Sequence, residues 1–380
     1  MISRSWWRGL AIGLVVVRLL VASYVARTEA ATSVDFDRFW TIASSTAAPY
    51  VSYRVEYTPF AVGLFKLARP FTGDRATFGA VMAWLAFCAD MVAAAALIAA
   101  FGWQAGAVYF IVTLPLLELF YNRFDLVPTA AAAVSMAALK RKRPILSATA
   151  LLIGIAFKLW ALPLSALLLA DARPDLRRTQ TVAFVVGGGV VAAVWLISAG
   201  IPGTIQVTTF RGATGWQVET FVGNLIALFS HRTLRYEFNA FRIGVVSSRA
   251  IVAWLTIGME AGFALAWLGT RAREIGATWL CSIGALLLLS PLLSPQFMAW
   301  IAPAAAIAWV ERRRWPAALA AAALALTELF WTHYTEVLTG FWWQFVVTAR
   351  NVSLLAMTIA AAVPIVRWWS ARLGPTNADE

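Results

Sequence analysis

The chain has 380 residues, of which 61% are hydrophobic and only 13% charged. Soluble globular domains run at about 45–50% apolar and about 25% charged, so this balance excludes that class and implies an all-α, polytopic transmembrane helical bundle. The formal charge of +12 is spread in short basic clusters between apolar runs, which reports membrane orientation and not a nucleic-acid footprint. Two cysteines and two distant histidines offer neither a disulfide framework nor a metal cluster, and no cofactor is expected.

Each crossing needs about 20 mostly apolar residues, and short cytoplasmic loops collect Lys and Arg. The first span runs from about Trp7 to Ala26 behind Arg4 and Arg8. It imitates a signal peptide, but its length favours a retained helix. The acidic stretch after it is then external. The second span (Phe78 to Phe101) returns inward, and the third (Gly106 to Phe120) rises to Asn122–Asp125. The fourth, from Leu126, ends at Lys140-Arg-Lys-Arg143, the strongest inside marker. The fifth rises from Ile145 to Lys158, and the sixth falls to the Asp171–Arg178 cluster. Then come a seventh from Val182 to Ala199, a long external segment, and an eighth from Ala250 to Leu268 ending at Arg271 and Arg273. The ninth rises to Ser294-Pro-Gln296, the tenth falls to Glu311–Arg314, the eleventh rises to His333, and the twelfth ends at Arg367.

The basic clusters all fall on one side, giving about twelve spans with both termini cytoplasmic. The reading is one integral-membrane domain over residues 1–373, with external segments at 27–77 and 200–249 and a disordered tail at 374–380. The short segments around Lys158 either span or re-enter.

On this topology the polar residues gather on the outer face. Asp35, Asp37, Glu56 and Tyr57 lie in the first external segment. Arg123 and Asp125 stand at the mouth of the third and fourth spans, and Lys158 at the next turn. Arg211, Gln217 and Glu219 follow the seventh span, and Gln296 sits between the ninth and tenth. Acids, bases and amides beside aromatic rings are what a site for a charged lipid headgroup needs. Blander readings stand beside this one. Asp35 and Asp37 suit caps for an amphipathic segment Phe36–Ala43, Arg123–Asp125 suits a local ion pair at a helix start, and Lys158 suits snorkelling. Inside the spans, Arg18 and Asp90 are expected to bridge the first and second helices, with Glu260 a third intramembrane charge. The Trp342-Trp343 and Trp368-Trp369 pairs fit an interfacial belt, and Gly187–Gly189 a close helix-packing site.

The motifs, in order, are VDFDRFW (Val34–Trp40), Pro49-Tyr50, VEYTP (Val55–Pro59), NRFDLVP (Asn122–Pro128), GIAFKLWALP (Gly154–Pro163), RGATGWQVET (Arg211–Thr220) and LSPQFMAWIAP (Leu293–Pro303). Together they resemble the bacterial type C glycosyltransferases of glycosyltransferase family 87, which use polyprenyl-phosphate-linked sugars, typically mannose. The resemblance covers about Asp35 to Pro303. It implies a multi-pass enzyme of the cell membrane, with its active site on the extracytoplasmic face and inversion at the anomeric carbon without an obligatory metal. The implied partners are a polyprenyl-phosphate sugar donor, a glycolipid or glycan acceptor and the bilayer. It carries the general base onto Asp35, with Asp37 as rival. Arg123, Asp125, Lys158, Arg211, Gln217, Glu219 and Gln296 become donor-site candidates, and Glu56 and Tyr57 acceptor-side or structural ones. Departures are Thr58 where a second proline is usual and Phe297 where a tyrosine is usual. A carboxylate base, cationic phosphate binding and no nucleotide loop fit together chemically. The competing class is a secondary transporter or lipid-linked-sugar flippase, favoured by Arg18, Asp90 and Glu260 but not by a one-sided polar cluster or by the missing internal repeat.

Overall fold

A computed structural model describes residues 3–171, 173–209, 213–230, 233–237, 240–334 and 342–373. Among them, six helices are long and apolar enough to cross a membrane: Arg4–Glu29, Arg75–Phe101, Pro174–Thr208, Ser248–Ala272, Arg314–Thr332 and Trp342–Arg372. The protein is therefore a multi-pass, membrane-embedded helical bundle.

The first of these is α1 (Arg4–Tyr24), prolonged by a π-helical turn at Val25–Glu29. Ser3 caps it by accepting from the Trp6 amide, as a small hydroxyl does at a helix start. The expected first external segment is itself mostly helical, with α2 at Val34–Ser44 and α3 at Pro59–Ala68. Thr58 caps α3 and Pro59 fills its first position, where a missing N–H costs nothing. After α4 (Arg75–Phe101), the expected third span is broken into α5 (Trp103–Thr113) and α6 (Leu117–Tyr121). Pro115 in the gap lacks the N–H that would continue the helical hydrogen bonds.

Next come α7 (Leu126–Lys140) and α8 (Pro144–Phe157), short apolar helices packed on each other, with α7 also against α4. The 15 residues of α7 span about 22 Å, short of a hydrocarbon core of about 30 Å. Its flank is buried in protein, not lipid: Ala132, Ala133 and Met136 are fully covered. The expected sixth span is a 3-10 turn at Leu159–Leu164 followed by the five-residue α9 (Ser165–Leu169). Pro163 inside that turn explains the irregularity.

The long helix α10 (Pro174–Thr208) lies at the periphery, with Val186, Val190 and Ile197 exposed to the surroundings. Gly187 is the one residue of its glycine run in tight packing: a Cβ there would come within 2.6 Å of Leu152 on α8. At Gly200 the chain turns through φ 59°, ψ −165°, a conformation only glycine adopts readily, so the helix kinks. Its last turns bend back over α3.

The expected second external segment, 200–249, is not all helix. It carries strands β1 (Trp216–Gln217), β2 (Arg235–Glu237) and β3 (Ala240–Ile243), in antiparallel order β1-β3-β2, beside α11 (Phe221–Phe229). Among the described residues this small sheet is a minor addition to a bundle that is otherwise helical, consistent with the all-α reading. The remaining elements are α12 (Ser248–Gly269), α13 (Ile275–Leu289), a 3-10 turn at Pro295–Trp300, α14 (Ala302–Val310), α15 (Arg314–Thr332) and α16 (Trp342–Leu373). Residues 374–380 and Arg211 lie outside the described residues.

Within the bundle Arg18 donates to Asp90 at 2.9 Å and to the Phe110 carbonyl at 3.0 Å. Tyr109 and Tyr121 hydroxyls close on the same carboxylate at 2.7 and 2.8 Å. The bridge expected between the first two spans is present, and it also ties in α5 and α6. Trp343 departs from the belt reading: it is buried against Val218 and Phe330, while Trp342 is exposed.

Candidate functional site

Four of the expected site residues meet where α2, the loop before α3, and the starts of α7 and the Leu159 turn come together. Asp35, in the first turn of α2, forms an ion pair with Arg123. Asp125 at the start of α7 accepts from the Lys158 ammonium at 2.6 Å and from the Trp300 indole N–H at 3.0 Å. The local pair Arg123–Asp125 does not form; each partner crosses to another segment. Asp125 makes no side-chain cap to its own helix, so its orientation is set by Lys158 and Trp300.

The two aspartates of VDFDRFW separate clearly. Asp35 is 19% exposed and faces the cluster, whereas Asp37 is 54% exposed and meets Arg75 at 3.1 Å. Glu56 pairs with Arg38, whose guanidinium lies 5.5 Å from the Tyr57 ring centroid. Tyr57 stands among the charges. Burial, reinforced by Glu56, pushes its phenol well above the ordinary value, so it is a neutral hydrogen-bonding group throughout the working range. Beneath it, Phe39, Phe65 and Phe124 pack edge-on around its ring at 5.5 to 5.7 Å. This aromatic floor fixes the charged residues above it.

From this polar mouth a groove of about 480 Å³ runs along the bundle. Glu56, Tyr57, Lys158, Phe297 and Trp300 line its polar end. Its apolar walls come from Val207 on the kinked end of α10, from Val252, Leu255 and Met259 on α12, and from Leu286 and Leu287 on α13. Glu260, the third intramembrane charge, borders it within α12. The Lys158 ammonium lies 4.6 Å from the Phe297 ring centroid and 5.3 Å from that of Trp300. Phe297 in turn stacks on Trp300 at 4.1 Å. A cation framed by rings at the end of an apolar groove matches an amphiphile with an anionic head.

Other expected site residues stand apart. The Gln217 side-chain oxygen accepts from the Leu293 backbone N–H at 2.7 Å, and the Gln217 backbone N–H donates to the Pro291 carbonyl at 3.1 Å. It thus fastens the sheet to the turn that presents Phe297 and Trp300. Glu219 is buried beneath α16, where Arg350 donates to its backbone carbonyl. Burial pushes its carboxyl up to about 7, opposed by the Arg350 and Arg242 charges. Gln296 is half-buried in the 3-10 turn and does not line the groove.

Three contributors were not singled out from the sequence. Arg38 was readable as the lone cation inside the acidic motif. Trp300 lies one turn beyond Gln296 in a quoted motif. Gln206 is the third: it accepts from the Val55 amide at 3.0 Å and donates to the Tyr50 carbonyl at 2.7 Å. It straps the kinked end of α10 to the segment carrying Glu56 and Tyr57; a lone glutamine in an apolar run was its only signal.

The fold and site thus define a membrane-embedded helical protein with a charged, aromatic mouth above an apolar groove. No protein-family model matches the chain, and no curated protein matches it either.

Proposed function

We propose that the protein is a membrane glycosyltransferase that moves a sugar, most simply mannose, from a polyprenyl-phosphate-linked donor to a glycolipid or glycan acceptor of the cell envelope. In this reading the short inner helices count with the six long ones as about twelve crossings. Both termini are cytoplasmic, and the charged mouth faces outward. The observation that supports it best is the build of the groove. Apolar walls lead to Lys158 and Tyr57, and Tyr57 in turn senses Asp35 and Arg123.

The polyprenyl chain lies along α12 and α13, and Lys158 and Arg123 receive the phosphodiester and the charge that develops on it. Arg123 is held by Asp35. An incoming phosphate competes for that guanidinium and releases the carboxylate. Asp35 then takes the proton of the acceptor hydroxyl as its oxygen bonds to the anomeric carbon from the face opposite the phosphate. The bond from that carbon to the phosphate oxygen breaks, and polyprenyl phosphate leaves. The donor therefore binds before the base is available.

The test is transfer by purified protein from a panel of radiolabelled polyprenyl-phosphate sugars, with Asp35→Asn and Asp37→Asn alongside. Transfer from one donor, lost in Asp35→Asn and kept in Asp37→Asn, supports the reading. No transfer from any donor removes the class, and the reverse pattern of variants moves the base to Asp37. Glu260 on the groove favours one second reading, a lipid-linked-sugar flippase. It requires donor movement across vesicles that survives Asp35→Asn and falls in Glu260→Gln.

A further inference from the structure

The opposite end of the bundle holds a second cleft, of about 400 Å³. It lies between the end of α7 (Leu139, Lys140), the turn at Lys142, the residues Leu167, Asp171 and Arg173, and the Gly269–Ile275 connection from α12 to α13. Leu139, Leu167 and Ile275 form an apolar floor. Four cations line it against two carboxylates, and both carboxylates are already engaged. Asp171 accepts from the backbone and guanidinium N–H groups of Arg173. These contacts outweigh burial and hold its carboxyl below the ordinary range. Glu274 is paired with Arg313 outside the cleft. Among the described residues Lys140, Lys142 and Arg273 form no ion pair. Lys140 interacts electrostatically with Glu311, whose carboxylate is occupied with the Ile275 and Gly276 amides at 3.0 and 2.9 Å.

Backbone conformation adds an independent observation. Lys142 and Arg273 sit at φ 57° and 58°, in the left-handed region where chains leaving helices normally place glycine. A side chain there is disfavoured relative to glycine. Two long cations therefore line one cleft from strained positions at the helix ends, where basic clusters in short loops mark the headgroup level. We propose that this cleft binds a phosphate-bearing anion, presented as the headgroup of an anionic phospholipid, with Lys140, Lys142 and Arg273 as its ligands. The apolar floor receives the glycerol and upper acyl atoms, and the site stands independently of the sugar-transfer reading.

Arg312 supplies an internal control, because it is also left-handed at φ 64° and basic but does not line the cleft. The full chain in nanodiscs of neutral phosphatidylcholine, with or without phosphatidylglycerol, is examined by native mass spectrometry and thermal unfolding. Wild-type protein retains phosphatidylglycerol and unfolds at higher temperature with it. The Lys142→Gly, Arg273→Gly double variant is at least as stable in neutral lipid, since glycine suits both turns. It holds phosphatidylglycerol about thirtyfold more weakly. Arg312→Gly keeps wild-type retention. Equal retention by the double variant, or an equal loss in Arg312→Gly, overturns the site in favour of diffuse surface charge. Stabilisation by inorganic phosphate in neutral discs, matching that by the lipid, overturns the lipid as the ligand and leaves a free phosphate site.

Discussion

Two sets of charges in this molecule use the same chemistry to opposite ends. Deep in the bundle Arg18 and Asp90 are enclosed, and the carboxylate is saturated by Arg18, Tyr109 and Tyr121. At the mouth Asp35–Arg123 and Asp125–Lys158 are also paired, but Arg123 and Lys158 stay 12% and 23% exposed beside a groove. A fully enclosed ion pair with a saturated carboxylate fixes helices and is out of a ligand's reach. A half-open pair can exchange its partner. The difference between scaffold and site is therefore one of access, not of residue type.

The sharpest way to break this contrast is to neutralise one carboxylate in each set. Asp35→Asn is expected to cut sugar transfer by about 10²- to 10⁴-fold, the range of a lost general base, with unfolding temperature little changed. Asp90→Asn is expected to do the reverse. It strands a buried guanidinium and costs about 3–5 kcal/mol of stability, while turnover per folded molecule is retained. Thermal unfolding in detergent and transfer assays on the same preparations separate the two. An Asp90→Asn protein that is stable but inactive would merge the scaffold with the site.

A smaller effect sharpens the role of the cationic half. On the proposed sugar-transfer reading, Lys158→Ala removes one charge-assisted contact to the donor phosphate, worth about 1.5–3 kcal/mol, and apparent donor affinity is expected to fall about 10- to 100-fold. Arg75→Ala removes the partner of the exposed Asp37 and a long contact to the Ser33 carbonyl, both away from the groove, and is expected to leave donor kinetics unchanged. If both variants behave alike, position beside the groove confers nothing special on Lys158.

Much of this arrangement was legible because it follows from run length and charge. Apolar runs of twenty or more residues became the long helices, and the basic clusters after Leu139, Ala170, Gly269 and Val310 do gather at one end. Three runs are less regular than a single unbroken helix, for local reasons. Pro115, Pro163 and Pro295 each sit where an expected span is broken or begins as a 3-10 turn, because the ring blocks regular helix pairing. The sheet escaped notice because its strands have two to four residues, too short to show a period of two. Within the site, the identities of Asp35, Arg123, Asp125 and Lys158 were readable, but their pairing was not. Arg123 reaches across 88 positions to Asp35 and ignores Asp125 two residues away, a choice made by the packing of α2 against its neighbours. Gln217 and Glu219 were read as site residues since a polar group in an external segment has the same signature whether it binds ligand or backbone.

That ambiguity makes Glu219 the last place to test the contrast, with the smallest expected effect. Burial raises its carboxyl from the ordinary 4.5 to about 7, although Arg350 and Arg242 oppose the shift. The folded protein therefore keeps a proton that the unfolded chain gives up near 4.5. Unfolding releases that proton between about 4.5 and about 7, so this group makes stability fall as pH rises through the window and level off above it. Glu219→Gln holds the neutral form at every pH and should flatten that fall. The Glu311 carboxyl, also raised to about 7 by burial, contributes a slope of the same sign at the other end of the bundle. The quantity to measure is accordingly the difference between wild type and Glu219→Gln in unfolding temperature from pH 5 to 8. A difference that grows with pH, with transfer activity intact, puts Glu219 with Arg18 and Asp90 among the groups that hold the bundle. Parallel curves together with lost transfer would return it to the site, and access would no longer be what separates the two sets.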